Sequence, residues 1–236
     1  MSLSVDAARE LEEATAEEIV RWAYANHERV ALVASFQAES SVLIHLAARV
    51  VAHPDVITLD TGRLPEETHR VIDSFQRSGQ VRLTVQMPDP AEVAEMVGAH
   101  GPNLFLDSVE RRRLCCDVRK VRPLQRALAG YDAWITGIRR DQGPTRAGTP
   151  VVASDPAHGG IAKFAPLARW SSEQVWTYIK AHGLITHPLY ERGYTSIGCA
   201  PCTRAVQPGE GERAGRWWWE ADGVKECGLH WSPEPR

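Results

Sequence analysis

Residues 30–60 read VALVASFQAESSVLIHLAARVVAHPDVITLD, and the fold turns on them. Residues 30–36 (VALVASF) form a short β-branched, apolar run with the length of a buried strand. Residues 39–51 space their apolar side chains with helical period, and 56–59 (VITL) are again strand-like. Strand, helix and strand in so short a span make a βαβ unit.

The alternation extends in both directions. Upstream, the chain to about His27 reads as helical, with Thr15 and Glu18 spaced as a capping box before Ile19, Val20, Trp22 and Ala23. Downstream, 65–79 opens on proline and closes on glycine as a helix does, 81–87 is a strand, and a helix follows from about 90 to 98. Residues 108–128 have helical spacing and carry Arg111, Arg112, Arg113, Cys115, Cys116, Arg119 and Lys120, and 131–138 (YDAWITGI) read as a strand. The expected fold class is therefore α/β, a mostly parallel twisted sheet of Rossmann type with helices on both faces. Beyond it, 139–150 (RRDQGPTRAGTP) has loop composition, 161–164 is strand-like, and 171–181 is a helix with Ser171 and Gln174 as its capping box. From Gly193 glycine and proline dominate, with three consecutive tryptophans at 217–219. The expected organisation is one α/β nucleotide-binding domain, 1–205, whose first 28 residues are a helical segment, and a loop-rich tail, 206–236.

The chain has 236 residues, 43% of them hydrophobic and 24% charged, enough to bury a core without disulfides. Its 27 Lys and Arg nearly balance 30 Asp and Glu, for a net charge of -3. That excludes a generic nucleic-acid or membrane-surface binder and makes any anion site local. No window approaches about 18 uninterrupted apolar residues, and the first residues are acidic and helix-like where a signal peptide is basic and then apolar. A cytoplasmic protein is expected.

In an open α/β sheet, ligands lie outside the carboxyl ends of the strands. Three loops arrive there: 35–41 (SFQAESS), 60–63 (DTGR) and 137–140 (GIRR). A hydroxyl-rich turn before a helix can hold an anion on backbone N–H groups, although Ser40 and Ser41 could equally cap the helix. Asp60 could accept from a ribose or an adenine amine, or cap its own turn.

Cys115-Cys116 and Cys199-x-x-Cys202 supply four thiols in two pairs. Structural zinc asks for a spacer of about two to four residues within each pair, which an adjacent pair lacks. A four-iron cluster has an iron at each corner, so neighbouring cysteines can each take their own. Zinc and plain core cysteines stand as alternatives. Cys227 is left over, between Glu226 and Gly228 near Lys225 and His230, either an inert thiol or a reactive one. Lys120, four residues after Cys116, shares its helical face if the helix continues. With Arg146, Arg213 and Arg216 it could clamp a compact polyanion, since guanidinium forks match phosphate and sulfate oxygens.

With these residues assembled, the chain resembles the assimilatory sulfonucleotide reductases, specifically the iron–sulfur adenosine 5′-phosphosulfate (APS) reductase branch with its PP-loop-like fold. The matching segments, in order, are SFQAESS, LDTGRLPEE, RRRLCCDVRKVRPL, YDAWITGIRRDQGPTR, SEQVWTYI, HPLYERGYTSIGCAPCTRAV, GRWWWE and KECGLH, from about residue 35 to 230. SFQAESS departs by having no glycine, which disfavours wrapping a long polyphosphate such as ATP.

The resemblance implies reduction of APS to sulfite and AMP in sulfate assimilation toward cysteine. Cys227, on a mobile tail, would be the nucleophile and pass through an S-sulfocysteine resolved by thioredoxin or glutaredoxin. It implies a [4Fe-4S] cluster on Cys115, Cys116, Cys199 and Cys202, with Lys120, Arg146, Arg213 and Arg216 on the phosphosulfate and Ser35, Gln37, Asp60, Gly62 and Gly137 in the nucleotide pocket. No nucleic-acid or membrane partner is expected, and oligomeric state is left open, a homo-oligomer included. The 3′-phosphorylated substrate, PAPS, is the alternative. An ATP-dependent PP-loop tRNA thiolase would want a glycine-rich first loop and a basic RNA face. A zinc-stapled interaction module would leave Cys227 and the arginines without a role.

Overall fold

The computed structural model describes residues 5–220 together with Glu226, Gly228 and Leu229. Cys227 lies outside the described residues. The N-terminal segment is two helices, α1 (Val5–Glu13) and α2 (Ala16–Asn26), the second started by the Thr15–Glu18 capping box. The βαβ unit follows as β1 (Val30–Val33), α3 (Ala38–Ala48) and β2 (Asp55–Leu59). Next come α4 (Glu66–Ser78), closed by Gly79 in the left-handed region, β3 (Arg82–Gln86) and α5 (Pro90–His100). The expected helix over 108–128 is α6 (Val109–Cys116), a π-helical turn (Asp117–Val121) and α7 (Arg122–Leu128) in succession. β4 (Ala133–Ile135), β5 (Val152–Asp155), β6 (Ile161–Phe164) and α8 (Ser172–His182) complete the order, α8 started by the Ser171–Gln174 capping box.

Among the described residues six strands form one sheet in the order β3-β2-β1-β4-β6-β5. Every pairing is parallel except β5 with β6. The side-chain period of two sends Val30 and Leu32 of β1 to one face, into a core shared with α2, α3, α4 and α8. Ala31 points to the other face, where it meets Leu124 and Leu128 of α7 and Trp134. Helices thus cover both faces, as the sequence predicts. No helix of the described residues is long and apolar enough to cross a membrane.

The chain builds outward from β1 to β2 and β3, then returns to lay β4 against the other side of β1. The strand order therefore reverses between β1 and β4, and the loops after these strands part there to leave a crevice at the carboxyl edge.

Candidate active site

That crevice is a cleft of about 160 Å³, lined by Ser35 and Gln37 after β1, Thr61 after β2, Gly137 and Ile138 after β4, and Lys120, Arg146, Arg213 and Arg216. Gly137 permits the close approach of the two sides: a Cβ at this position would lie 2.8 Å from the Glu39 Cβ on α3. The first loop divides its polar groups between its own turn and the chain at 185–197. Ser35 N–H donates to Ser40 Oγ (3.1 Å), Gln37 Nε2 donates to Ser35 Oγ (2.9 Å), and Ala38 N–H, at the start of α3, donates to the buried Tyr190 hydroxyl (2.9 Å). Ser41 Oγ donates to the Ile185 carbonyl at 2.6 Å. Both serines brace the turn. Phe36 takes the left-handed conformation (φ 55°) without being glycine, held by burial against Phe75 at 5.1 Å between ring centroids.

Asp60 and Gly62 form their own turn, Gly62 N–H donating to Asp60 Oδ1 at 2.8 Å, while Asp60 Oδ2 lies 3.0 Å from His69 Nε2. Neither residue lines the cleft. Of the expected nucleotide-pocket residues, the structure brings together Ser35, Gln37 and Gly137.

All four expected basic residues line the cleft. Arg146, in the 3-10 turn Pro144–Arg146, and Arg213 converge on the buried Glu226 carboxylate. Lys120 and Arg216 line a second, smaller cavity as well, directly beside the first. This cavity holds all four paired cysteines, each of them buried and reduced. Arg63, Phe105, Arg112, Arg119, Pro201 and Trp217 complete its wall. Because the helix continues through the π turn, Lys120 does share the wall with Cys116.

The electrostatics around the thiols are uneven. Burial pushes the Cys202 thiol up to about 12, with Cys199 adding to the rise. Burial also raises Cys115, against the pull of Arg119. For Cys199 burial is outweighed by Lys120, by the 3.3 Å contact with Thr61 Oγ1 and by Arg216 and Arg119, and its pKa is lowered. Among the described residues no three His, Cys, Asp or Glu side chains gather about a single ion position. The wall of the cysteine cavity nevertheless carries buried donors that lack an acceptor: Arg112 Nη2, Arg119 Nε, Arg216 Nε and Trp217 Nε1. Trp217, 1% exposed and itself at φ 45°, is flanked by the Arg112 and Arg216 guanidinium carbons at 4.4 and 4.8 Å from its ring centroid. Gly198 leaves the space for this, since a Cβ there would fall 2.3 Å from Arg216 Nη2. The tryptophan run thus fastens the near part of the tail to the cysteine cavity, with Trp219 on Phe105 and Trp218 partly exposed.

The sequence places Arg139 in the 137–140 loop at the ligand edge but assigns it no partner. It is buried and pairs with Glu39, Asp141 and Glu212. Burial would depress its pKa, but Glu39 first and then Glu212 and Asp141 hold it above the ordinary arginine value. Through Glu212 it ties the tail to the floor of the cleft. For Glu226 the sequence offers only its effect on the adjacent Cys227 thiol, and nothing in it pairs Glu226 with Arg146.

Comparison with known proteins agrees with this geometry. Residues 29–205 match the Phosphoadenosine phosphosulfate reductase domain. An adenosine 5′-phosphosulfate reductase of Allochromatium vinosum is 45% identical over 218 residues, covering 92% of this chain and 85% of the relative. One from Streptomyces coelicolor is 45% identical over 230 residues, covering 97% and 94%. Among solved structures, the phosphoadenylyl-sulfate reductase of Candida auris in a phosphate complex superposes with a TM-score of 0.73 at 26% identity, covering 87% of this chain and 99% of that one. By profile, by identity and by shape, the chain belongs to the phosphoadenosine phosphosulfate reductase domain family.

Proposed function

We propose that this protein reduces APS to sulfite and AMP with electrons from a dithiol protein. The observation that carries the reading is the convergence of Lys120, Arg146, Arg213 and Arg216 on one cleft at the switch point of the sheet, against the wall of the four-cysteine cavity. The cleft offers the nucleotide the loops holding Ser35, Gln37 and Gly137, with Asp60 and Gly62 acting by shaping the adjacent turn. Its cations suit the mixed anhydride of phosphate and sulfate, because guanidinium forks bind such oxygens in pairs.

In the chemistry this implies, the Cys227 thiolate attacks the sulfate sulfur. A sulfur–sulfur bond forms, the sulfur–oxygen bond to the phosphate breaks, and AMP leaves with that oxygen, its charge met by the arginines. A thiolate of thioredoxin or glutaredoxin then attacks Cys227 Sγ and sulfite departs. The second thiol of the donor closes its own disulfide and restores Cys227, so the two electrons come from the dithiol. Cys227 must therefore serve two partners in turn, which asks the tail 206–236 to move; Glu226, before it, and Leu229, after it, are both at the cleft.

The four paired cysteines fit a [4Fe-4S] cluster. They ring one cavity without converging on a single ion, and the unpartnered donors of Arg112, Arg119, Arg216 and Trp217 face a region that asks for an electron-rich acceptor. A cluster held by Cys115, Cys116, Cys199 and Cys202 would supply a compact negative charge beside the cleft and tie the end of α6 to the Cys199–Cys202 loop. A cytoplasmic, reducing location suits four cysteines held outside disulfides.

The test is anaerobic sulfite release from APS and from PAPS with a thioredoxin system. APS should be turned over in preference to PAPS. Equal or better turnover of PAPS would make the protein a PAPS reductase, and no sulfite from either would refute the assignment.

A further inference from the structure

The Arg146 guanidinium holds the Glu226 carboxylate as a fork, Nε donating to Oε2 and Nη2 to Oε1, both at 2.8 Å. Arg213 Nη2 donates to the same Oε1 at 3.2 Å, and Thr145 Oγ1 reaches Oε2 at 3.4 Å. The main chain is held too, since Arg112 Nη1 donates to the Glu226 carbonyl at 3.1 Å. The Arg146 and Glu226 side chains are 9% and 3% exposed, so this is a desolvated contact and not a surface pair. Its geometry, two coplanar oxygens on one guanidinium and a second guanidinium closing on one of them, is what a phosphate or sulfate group would present. Both arginines line the cleft. The protein therefore carries, one residue before its leftover cysteine, its own anion on the pair of cations that the substrate needs.

We propose that Glu226 is an internal competitor for the phosphosulfate subsite: its carboxylate occupies Arg146 and Arg213 when substrate is absent and must leave them for the anion of APS to bind. The inference rests on the reading of the cleft as an APS site. Substrate binding and release of the segment around Glu226 are then one event, and residue 227 is let go only when there is a sulfate to attack. The cost is affinity. If the carboxylate is seated in 90–99% of molecules, the apparent dissociation constant rises about tenfold to a hundredfold over that of the vacated site.

The test is calorimetric titration of APS into the full-length Cys227→Ser protein, which cannot turn over, and into the same protein with Glu226→Gln or Glu226→Asp. Adenosine, which has no anion, is the control ligand. Gln keeps the shape and removes the charge, so APS should bind at least about tenfold more tightly, with adenosine unchanged. Asp keeps the charge with a shorter reach and should tighten APS binding by a smaller factor; it carries the same test should Gln at 226 prevent folding, which thermal unfolding reports. Equal or weaker APS binding by the folded variants would overturn the competition while leaving the cleft assignment standing. Failure of every protein, Cys227→Ser included, to bind APS would remove that assignment and the competitor with it.

Discussion

Arg139 Nε donates to Glu39 Oε1 at 2.8 Å, joining the loop after β4 to the first turn of α3 across the crevice at which the sheet reverses its order. The same Glu39 oxygen accepts from Gln142 Nε2 at 3.0 Å, and Gln142 Oε1 accepts from Arg146 Nη1 at 2.5 Å. The floor of the cleft and its arginine-bearing rim are thus one hydrogen-bonded chain.

Removing the cation from this chain should be costly. Arg139→Ala leaves Glu39, Asp141 and Glu212 facing one another with Glu39 buried, a loss on the order of 3–5 kcal/mol. Arg139→Lys should recover only part, because one ammonium cannot fork onto three carboxylates. Urea unfolding checks both, and a loss under about 1 kcal/mol for the alanine variant would mean that water or a rearrangement replaces the guanidinium.

The two cysteine roles should separate. Cys227→Ser should retain iron and visible absorbance yet form no sulfite, while Cys116→Ser should lose both. Anaerobic metal analysis beside a sulfite assay decides it. Bleaching by Cys227→Ser would make Cys227 a ligand.

Arg213 and Arg216 should fail in different ways. Arg213 lines the cleft, whereas Arg216 lines both the cleft and the cysteine cavity. Substitution of either by Ala removes a charge-assisted hydrogen bond worth about 1.5–3 kcal/mol, and kcat/KM should fall about tenfold to a hundredfold. Iron content should survive in Arg213→Ala and drop in Arg216→Ala. Wild-type kinetics in both would show that neither guanidinium takes part in substrate binding.

Acid should weaken the fold through His187. Its Nδ1 accepts from Leu189 N–H at 3.2 Å, which leaves Nε2 to donate to Thr68 Oγ1 at 2.9 Å, and burial lowers its pKa to about 4 from 6.5. The neutral ring is the folded form, so its contribution is whole above pH 6.5 and is lost as pH falls from there toward 4, about 3 kcal/mol in all. His187→Gln, which does not titrate, should flatten that part of the stability profile. An unchanged slope between pH 6.5 and 4 would show that other groups carry it.

Much of the fold is legible in the sequence because its signals are local. The βαβ run needs only periodicity, and the Thr15–Glu18 and Ser171–Gln174 capping boxes appear where their spacing places them. β5 is not legible: Val152–Asp155 includes Ser and Asp and gains strand geometry from pairing with β6. The π turn is similarly silent, since a helix with one wider turn keeps an apolar spacing close to that of an ordinary helix. In the site, the four cysteines and four basic residues are legible by type and spacing, and the structure brings each set together. What stays hidden is pairing over distance. Arg146 finds Glu226 80 positions away and Arg139 finds Glu39 100 positions away, and no local pattern encodes either.

The antiparallel edge has one more consequence. β5 starts at the carboxyl edge of the sheet, Val152 opposite Phe164, so the chain from the end of β4 to the start of β5 never crosses the sheet. Residues 136–151, with Gln142 and Arg146, span two points on the same rim. Exposed positions of this span, Pro144, Thr145, Ala147 and Gly148, can vary without shifting the register of any strand, because no parallel crossover depends on them, whereas Arg139 is fixed by its three carboxylates. Arg146, which lines the cleft, therefore sits among exchangeable positions on a fixed frame, which can vary while the sheet, the cysteine cavity and the first loop are left as they are.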